Sequence, residues 1–426
     1  MIEWKRNFVM VALSQFFSIM GFSFAMPFLP YYIQQLGITE PNELKMWVAL
    51  STAAAPLTLA VFSPIWGALG DRYGRRVMML RANFGGMLVL GLMGLVPNVQ
   101  MLVMLRLLQG VLTGTVNAAQ TFVSVQSPPQ RSGMVLGSLS AAVFSGSMCG
   151  AFVGGLFAEW FGYEKAFLAS GVFLLLAGLL ITFGTREEFV RPMEEEGDSM
   201  EGRVRVFWGK IGPALPILAL MAAMGFVLQF DGAWLPLLVQ EIHGALKGAA
   251  FWTGSLAAVG GIAGFLAGPI IGRFADRIAP PRIGKISAFG AGLMMLMVGL
   301  SHGFGMLFGA RFGAIFCAGG LDPVFQIWLA KTTPPASRGF FFGWAVTARS
   351  LGWMMAPLAS GAVAWMFGLR AVFFAAAAFF FLLIPLIALI VRYLPPVPQP
   401  SAKKAVKKGL TTRHFNNIIC IVRDAG

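Results

Sequence analysis

The chain has 426 residues, of which 57% are hydrophobic and only 12% charged. That composition excludes an ordinary water-soluble enzyme, which carries about twice as many charged residues. The formal net charge of +14 invites a nucleic-acid reading, but the basic residues are dispersed between long apolar runs rather than gathered into one patch.

Taken in chain order, apolar runs long enough to cross a bilayer as helices fall near residues 8–34, 46–70, 77–97, 99–126, 132–158 and 164–184. Six more follow near 211–240, 249–275, 283–301, 304–331, 338–366 and 370–392. Backbone groups in lipid must be satisfied internally, so helices are expected. The short alternating segments of a β-barrel are absent. The first run follows Lys5 and Arg6 but is too long for a signal-peptide core, so an uncleaved helix is expected.

The runs are interrupted by a charged stretch containing Glu194, Glu195 and Glu196. The expected organisation is a six-helix bundle at 1–184, a cytoplasmic linker at 185–210, a second six-helix bundle at 211–393 and a basic cytoplasmic tail at 394–426. In the tail, Pro395, Pro396, Pro398 and Pro400 precede Lys403, Lys404, Lys407 and Lys408. Most basic residues can be placed on one side of the membrane, leaving Lys45, Lys165, Lys247 and Arg370 on the other. By the positive-inside rule both termini are cytoplasmic, and the basic excess reflects orientation and attraction to the lipid surface. Partners expected are the lipid bilayer, a small-molecule substrate and protons, with no nucleic acid; a monomer is expected.

Cys149, Cys317 and Cys420 are scattered, as are His243, His302 and His414, so no disulfide framework or metal spacing can be drawn. No nucleophile–base pairing or phosphate loop is present, which argues against an enzyme, and no cofactor is expected.

Two matching signatures stand between apolar runs in the two halves. One is Gly67-Ala-Leu-Gly-Asp71-Arg72-Tyr-Gly74-Arg75-Arg76; the other is Gly272-Arg-Phe-Ala-Asp276-Arg277, followed by Ile-Ala-Pro-Pro-Arg282. The repeat continues: Arg106 opens the fourth run and Arg311 the tenth, with Asn117 and Asp322 each eleven residues on. In the fifth run Gly137 is followed by Gly146, Gly150, Ala151, Gly154 and Gly155. In the eleventh, Gly343 is followed by Gly352, Ala356, Pro357, Ser360 and Gly361. Small residues at such intervals let helix backbones approach closely, and Pro357 can bend a helix. A duplicated membrane bundle of this kind usually moves something across the bilayer.

These residues resemble the major facilitator superfamily over essentially the whole membrane portion. Gly67 to Arg76 is similar to that superfamily's loop signature. The array Gly137, Gly146, Gly150, Gly154 and Gly155 resembles the fifth-helix motif of its twelve-helix drug:proton antiporters, with Ala151 where those proteins usually carry Pro; the second-half copy carries Pro357. Trp4-Lys5-Arg6-Asn7 and Met26-Pro27-Phe28-Leu29-Pro30 are similar to bacterial multidrug-resistance members. The resemblance implies the major facilitator fold, with twelve transmembrane helices in two six-helix halves. It also implies a cytoplasmic gate at Gly67, Asp71, Arg72, Gly74, Arg75, Arg76, Asp276 and Arg277, in which the Arg residues pair with acids across the halves.

Ionisable side chains inside a span cost roughly 2.5–3.5 kcal/mol each on insertion scales, so the few present form the functional shortlist. They are Asp231, Asp322, Arg106, Arg311 and Arg349. Asp231 lies in an apolar, aromatic stretch and can serve as a proton-coupling carboxylate or as a structural acid paired with an Arg. Asp322 sits between Gly319-Gly320 and Pro323, which predicts an opened helix. Arg106, with Gln109 and Gly110, resembles the fourth-helix Arg implicated in proton coupling in the family; a structural anchor is the alternative. Arg349 lies too deep to snorkel, and Asp322 or Asp231 is its expected partner. Candidate substrate contacts are Phe24, Met26, Phe28, Tyr31, Gln34, Asn117, Gln120, Gln229, Phe230, Trp234 and Trp353, a mixture of aromatic, thioether and amide groups suited to bulky amphipathic compounds.

The expected function is secondary active transport in a bacterial inner membrane: proton-driven efflux of drugs or other small amphipathic compounds by alternating access. A dedicated metabolite or sugar transporter of the same fold is the alternative, and a non-transporting membrane sensor a weaker one.

Overall fold

The computed structural model describes residues 3–127, 132–187, 215–332 and 338–393. Among the described residues every regular element is helical. Glu3–Ala25 (α1) passes through a 3-10 turn at Met26–Phe28 into Leu29–Gln35 (α2). Pro27 and Pro30 fall in the first turns of the two new pieces, where a missing N–H is harmless. Pro41–Tyr73 (α3) and Arg75–Met93 (α4) meet at Gly74, whose φ of 95° suits glycine. Val99–Leu112 (α5), capped by the Asn98 side chain on the Met101 N–H at 2.9 Å, breaks at Thr113–Gly114 before Thr115–Gln126 (α6). Ser132–Phe161 (α7) and Tyr163–Gly184 (α8) follow.

Beyond residue 214 the same sequence of shapes recurs. Leu215–Gln229 (α9) and Leu235–His243 (α10) flank a break at 230–234. Ala249–Arg277 (α11) and Pro280–Gly299 (α12) are continuous. Phe304–Ala318 (α13) and Leu321–Thr332 (α14) flank Gly319–Gly320. Arg338–Phe367 (α15) runs through Pro357, and Leu369–Tyr393 (α16) through Pro385. The opened helix expected beside Asp322 is therefore present. The runs 99–126 and 211–240, read from the sequence as unbroken, are each split, and 211–240 continues to His243.

Nine segments of the described chain are long and apolar enough to cross a membrane, and α5, α9 and α13 are shorter apolar helices. Each of those three is carried on past its break by α6, α10 or α14. Outward-facing side chains are apolar: Trp160, Phe183 and Phe367 are 73%, 76% and 71% exposed, as lipid contact permits and water would not. This is a multi-pass membrane protein.

Packing follows one scheme used twice. α1 lies along α7 and α8, and α4 along α8; correspondingly α9 lies along α15 and α16, and α12 along α16. Two further long contacts, α7 with α11 and α3 with α15, join the parts. Glycine sets the closest of these approaches. A Cβ on Gly146 or Gly154 would strike the Phe16 or Phe24 carbonyl of α1, and one on Gly352 would strike the Ala222 carbonyl of α9. On the neighbouring face of α7, Gly155 meets the Ala250 carbonyl and Gly254 meets that of Ala151. The glycine run thus serves two neighbours, and Ala151 stands 3% exposed at the second seam.

Candidate transport site

Both acids within the spans are held at breaks in helices, and each faces a guanidinium. At the α9–α10 break the Asp231 carbonyl receives the N–H groups of Trp234 (3.0 Å) and Leu235 (3.2 Å), starting the new helix. This aims the carboxylate, 2% exposed as a residue, at Arg311 of α13, whose Nη1 donates to Oδ2. Phe230 packs beside it against Phe226 and Phe379. At the α13–α14 break Asp322 occupies the first turn of α14, where the helix dipole favours a carboxylate. Its Oδ1 accepts from Arg349 Nη1 at 2.7 Å and its Oδ2 from Gln326 Nε2 at 2.7 Å. The Arg349 guanidinium also lies 5.3 Å from the Trp353 ring centre. Ion pairs taken out of water add little net stability, since desolvation offsets attraction, so charge placed in a membrane interior points to use.

Arg106 differs. Nε donates to the Ser51 carbonyl (2.8 Å), and Nη1 to Gln109 Oε1 (2.6 Å) and Met26 Sδ (3.1 Å). All three partners are neutral, and no carboxylate bridges it among the described residues. It is 7% exposed.

Charged pairs at broken helices, with one packing scheme used twice, are features common to membrane transporter folds. Comparison with known proteins agrees. The profile of the Major Facilitator Superfamily matches residues 11–302 and 253–423. The chain belongs to the major facilitator superfamily. Curated relatives include the multidrug resistance protein MdtG of Citrobacter koseri, 34% identical over 375 residues, covering 87% of this chain and 91% of that one. MdtG of Rahnella sp. is 34% identical over 379 residues, covering 88% and 91%. Among solved structures, the inward-facing, unoccupied bacterial homologue of the human lysosomal transporter Spinster aligns with a TM-score of 0.71 at 16% identity, over 92% of this chain and 97% of that one. The nucleoside transporter NupG aligns at 0.74 and 12%, over 90% and 99%. As in the rest of the superfamily, the chemistry is transport and not catalysis.

The superfamily's loop signature is held in a way the sequence did not announce. The Glu187 carboxylate accepts the Arg75 and Arg76 N–H groups at 2.9 and 2.8 Å, capping the start of α4. Arg76 donates to the Ile181 and Thr182 carbonyls at the end of α8, at 3.4 and 2.7 Å. Arg75 Nη1 donates to the Gly67 carbonyl at 3.4 Å, and Arg72 lies 5.8 Å over the Tyr73 ring. The side chains of Asp71, Asn117, Asp276 and Arg277, together with Gly272 and Gly343, lie outside the described residues.

The candidate substrate contacts divide. Phe24, Phe28, Tyr31, Phe230 and Trp234 are at most 2% exposed and packed against other helices. Tyr31 Oη donates to the Pro236 carbonyl (2.6 Å) and lies 2.8 Å from Thr253 Oγ1; Trp234 Nε1 donates to Ser360 Oγ (2.8 Å). Met26, Gln34 and Gln120 are half-buried, Gln229 and Trp353 exposed. Gln34 exchanges two hydrogen bonds with Gln240, at 2.9 and 3.0 Å. Near them both oxygens of Glu159 accept the Gly248 N–H at 2.9 Å. A cavity of about 480 Å³ opens over this seam, lined by Gln34, Lys45, Gln240 and Glu241 among others.

Sequence reasoning also missed Arg81, which it counted as a loop charge. Arg81 stacks on the Trp66 ring at 3.7 Å and donates to the Thr113 carbonyl at 3.3 Å, while Trp66 Nε1 donates to the Val111 carbonyl at 2.7 Å. Both serve carbonyls released where α5 stops. The adjoining Gly114, at φ 111°, was the available signal.

Proposed function

We propose that this protein is a proton-coupled exporter of small amphipathic compounds, working by alternating access in a bacterial inner membrane. Its two six-helix halves, 1–184 and 211–393, rock about a midplane cavity as a monomer with both termini cytoplasmic. The observation that carries the reading is the placement of Asp231–Arg311 and Asp322–Arg349 at the breaks of the seventh and tenth runs. A carboxylate that takes up a proton releases its guanidinium, so each pair is a two-state element that a proton gradient can bias. The relatives named multidrug resistance protein support this substrate class. The bonds of Tyr31, Gln34 and Glu159 to Pro236, Gln240 and Gly248 cross between the halves on the side assigned by charge as external, which supports a state closed outside and open to the cytoplasm. The gate at Gly67–Arg76 would engage in the opposite state.

Liposomes holding the purified protein and an imposed pH gradient test this. Several unrelated amphipathic compounds should each release lumenal protons, and Asp231→Asn or Asp322→Asn should stop the release. Saturable flux of a single polar solute, with no proton movement, would replace the reading by a dedicated metabolite carrier.

A further inference from the structure

Resting on the exporter reading above, we infer that Gln326 is a positioning residue for proton coupling: it sets how readily Asp322 takes a proton and keeps the acid in place once Arg349 is released. Asp322 and Gln326 are four residues apart on α14, so their side chains share one face of the helix. The carboxylate divides its oxygens between two donors: Oδ1 accepts from Arg349 Nη1 and Oδ2 from Gln326 Nε2, each at 2.7 Å. The α14 N-terminus, the guanidinium and the carboxamide therefore all favour the charged form. The other acid of the spans is held differently. Asp231 pairs with Arg311 and its side chain is 3% exposed, whereas that of Asp322 is 31% exposed. A charge left that open within a span faces water rather than lipid, because lipid contact carries the full cost of burial. In this structure Asp322 is thus the acid that can exchange protons, and Gln326 is the neutral side chain bonded to it.

A guanidinium can only donate, and its attraction fades when the acid becomes neutral. A carboxamide donates through Nε2 to the carboxylate and, turned over, accepts through Oε1 from the protonated acid. Gln326 can therefore stay bonded in both states, while Arg349, 5.3 Å from the Trp353 ring centre, has an aromatic face to hold it after the ion pair opens. Neighbouring charges leave this role to Gln326. Among the described residues, the ionisable side chains on or beside the elements packed against α14 are Arg349 on α15, Arg311 on α13 with its partner Asp231 after α9, and Arg282 and Lys285 near the start of α12; of these only Arg349 is bonded to Asp322. The side chains of Arg273, Asp276 and Arg277 on α11, Lys331 on α14 and Arg338 on α15 lie outside the described residues. Removing the Nε2 donor raises the proton affinity of Asp322, and a carboxylate in its place raises it further by repulsion.

Dicyclohexylcarbodiimide reacts with protonated carboxyls, so the pH dependence of its attachment to Asp322, read by peptide mass spectrometry on the detergent-solubilised full chain, measures this affinity without any substrate. Gln326→Met keeps the length of the side chain and loses the donor. It should move the labelling midpoint of Asp322 up by at least about half a pH unit, and Gln326→Glu should move it further. A merely loosened structure would speed labelling at every pH and leave the midpoint where it was. A midpoint that stays or falls in either variant, shown folded by its melting curve, overturns the inference. So does an Asp322 that is not labelled at any pH in the unaltered protein, since the acid would then not exchange protons in this state. Proton-coupled efflux by the unaltered protein with unmoved midpoints would leave the exporter reading standing and remove this one; shifted midpoints in a protein that moves no protons in liposomes would remove the exporter reading and leave Gln326 as the residue that tunes Asp322.

Discussion

Arg311→Gln strips the partner from the most deeply buried acid among the described residues. The Asp231 side chain is 3% exposed and that of Arg311 14%, so water cannot replace the lost guanidinium. Stranding one member of a buried pair costs about 3–5 kcal/mol. Asp231→Asn/Arg311→Gln removes both charges and leaves neutral groups that can bond each other, so most of the loss should return. Arg349→Gln makes the control, because its pair is 22% and 31% exposed and solvent can intervene; a loss below about 2 kcal/mol is expected. The assay is unfolding in detergent followed by tryptophan fluorescence, with the four variants compared at one pH. The reasoning fails if Arg311→Gln loses less than Arg349→Gln, or if the double variant is no more stable than Arg311→Gln alone.

Three further outcomes follow from the packing. Gly154→Val should lose about 1–3 kcal/mol or fail to fold, since its side chain drives into the Phe24 carbonyl, whereas Gly137→Val, with open space around it, should stay within about 0.5 kcal/mol; melting curves of the pair decide whether contact or mere membership of the glycine array matters. Glu187→Ala should cost about 1 kcal/mol by uncapping α4, and Glu187→Gln should recover part of it; equal melting of all three proteins would remove the cap from the account. Gln34→Cys/Gln240→Cys, joined by a short thiol cross-linker, should stop transport reversibly; full transport after cross-linking would show that this seam need not open.

Much of the fold was legible because the membrane simplifies it. Apolar length finds the spans, and the matched glycines announce the close crossings that Gly146 and Gly352 make. The cost of burying charge singles out Asp231, Asp322, Arg106, Arg311 and Arg349 from sequence alone, and of the two partners it left open for Arg349 the structure brings up Asp322. Partner choice was harder. Arg311 is the second-half counterpart of Arg106, yet it holds Asp231, because pairing depends on where the α9–α10 break points the carboxylate. The break itself is marked only by Gly232 and Pro236, common residues in membrane helices. Arg81 and Glu187 were hidden for another reason. Each satisfies backbone groups at a helix end, and composition does not reveal which charge beside a span turns inward to do so. Aromatic composition likewise marked Tyr31 and Trp234 as cavity candidates, whereas their polar tips fix them inside the seam between helices.

The central claim is that proton coupling runs through Asp231 and Asp322. The most direct measurement is the proton count on binding: substrate is added to purified protein in weakly buffered detergent solution and the pH is followed. The account predicts proton release that saturates with the substrate and disappears in Asp231→Asn/Asp322→Asn, shown folded by its melting curve. Undiminished release from that double variant would contradict it.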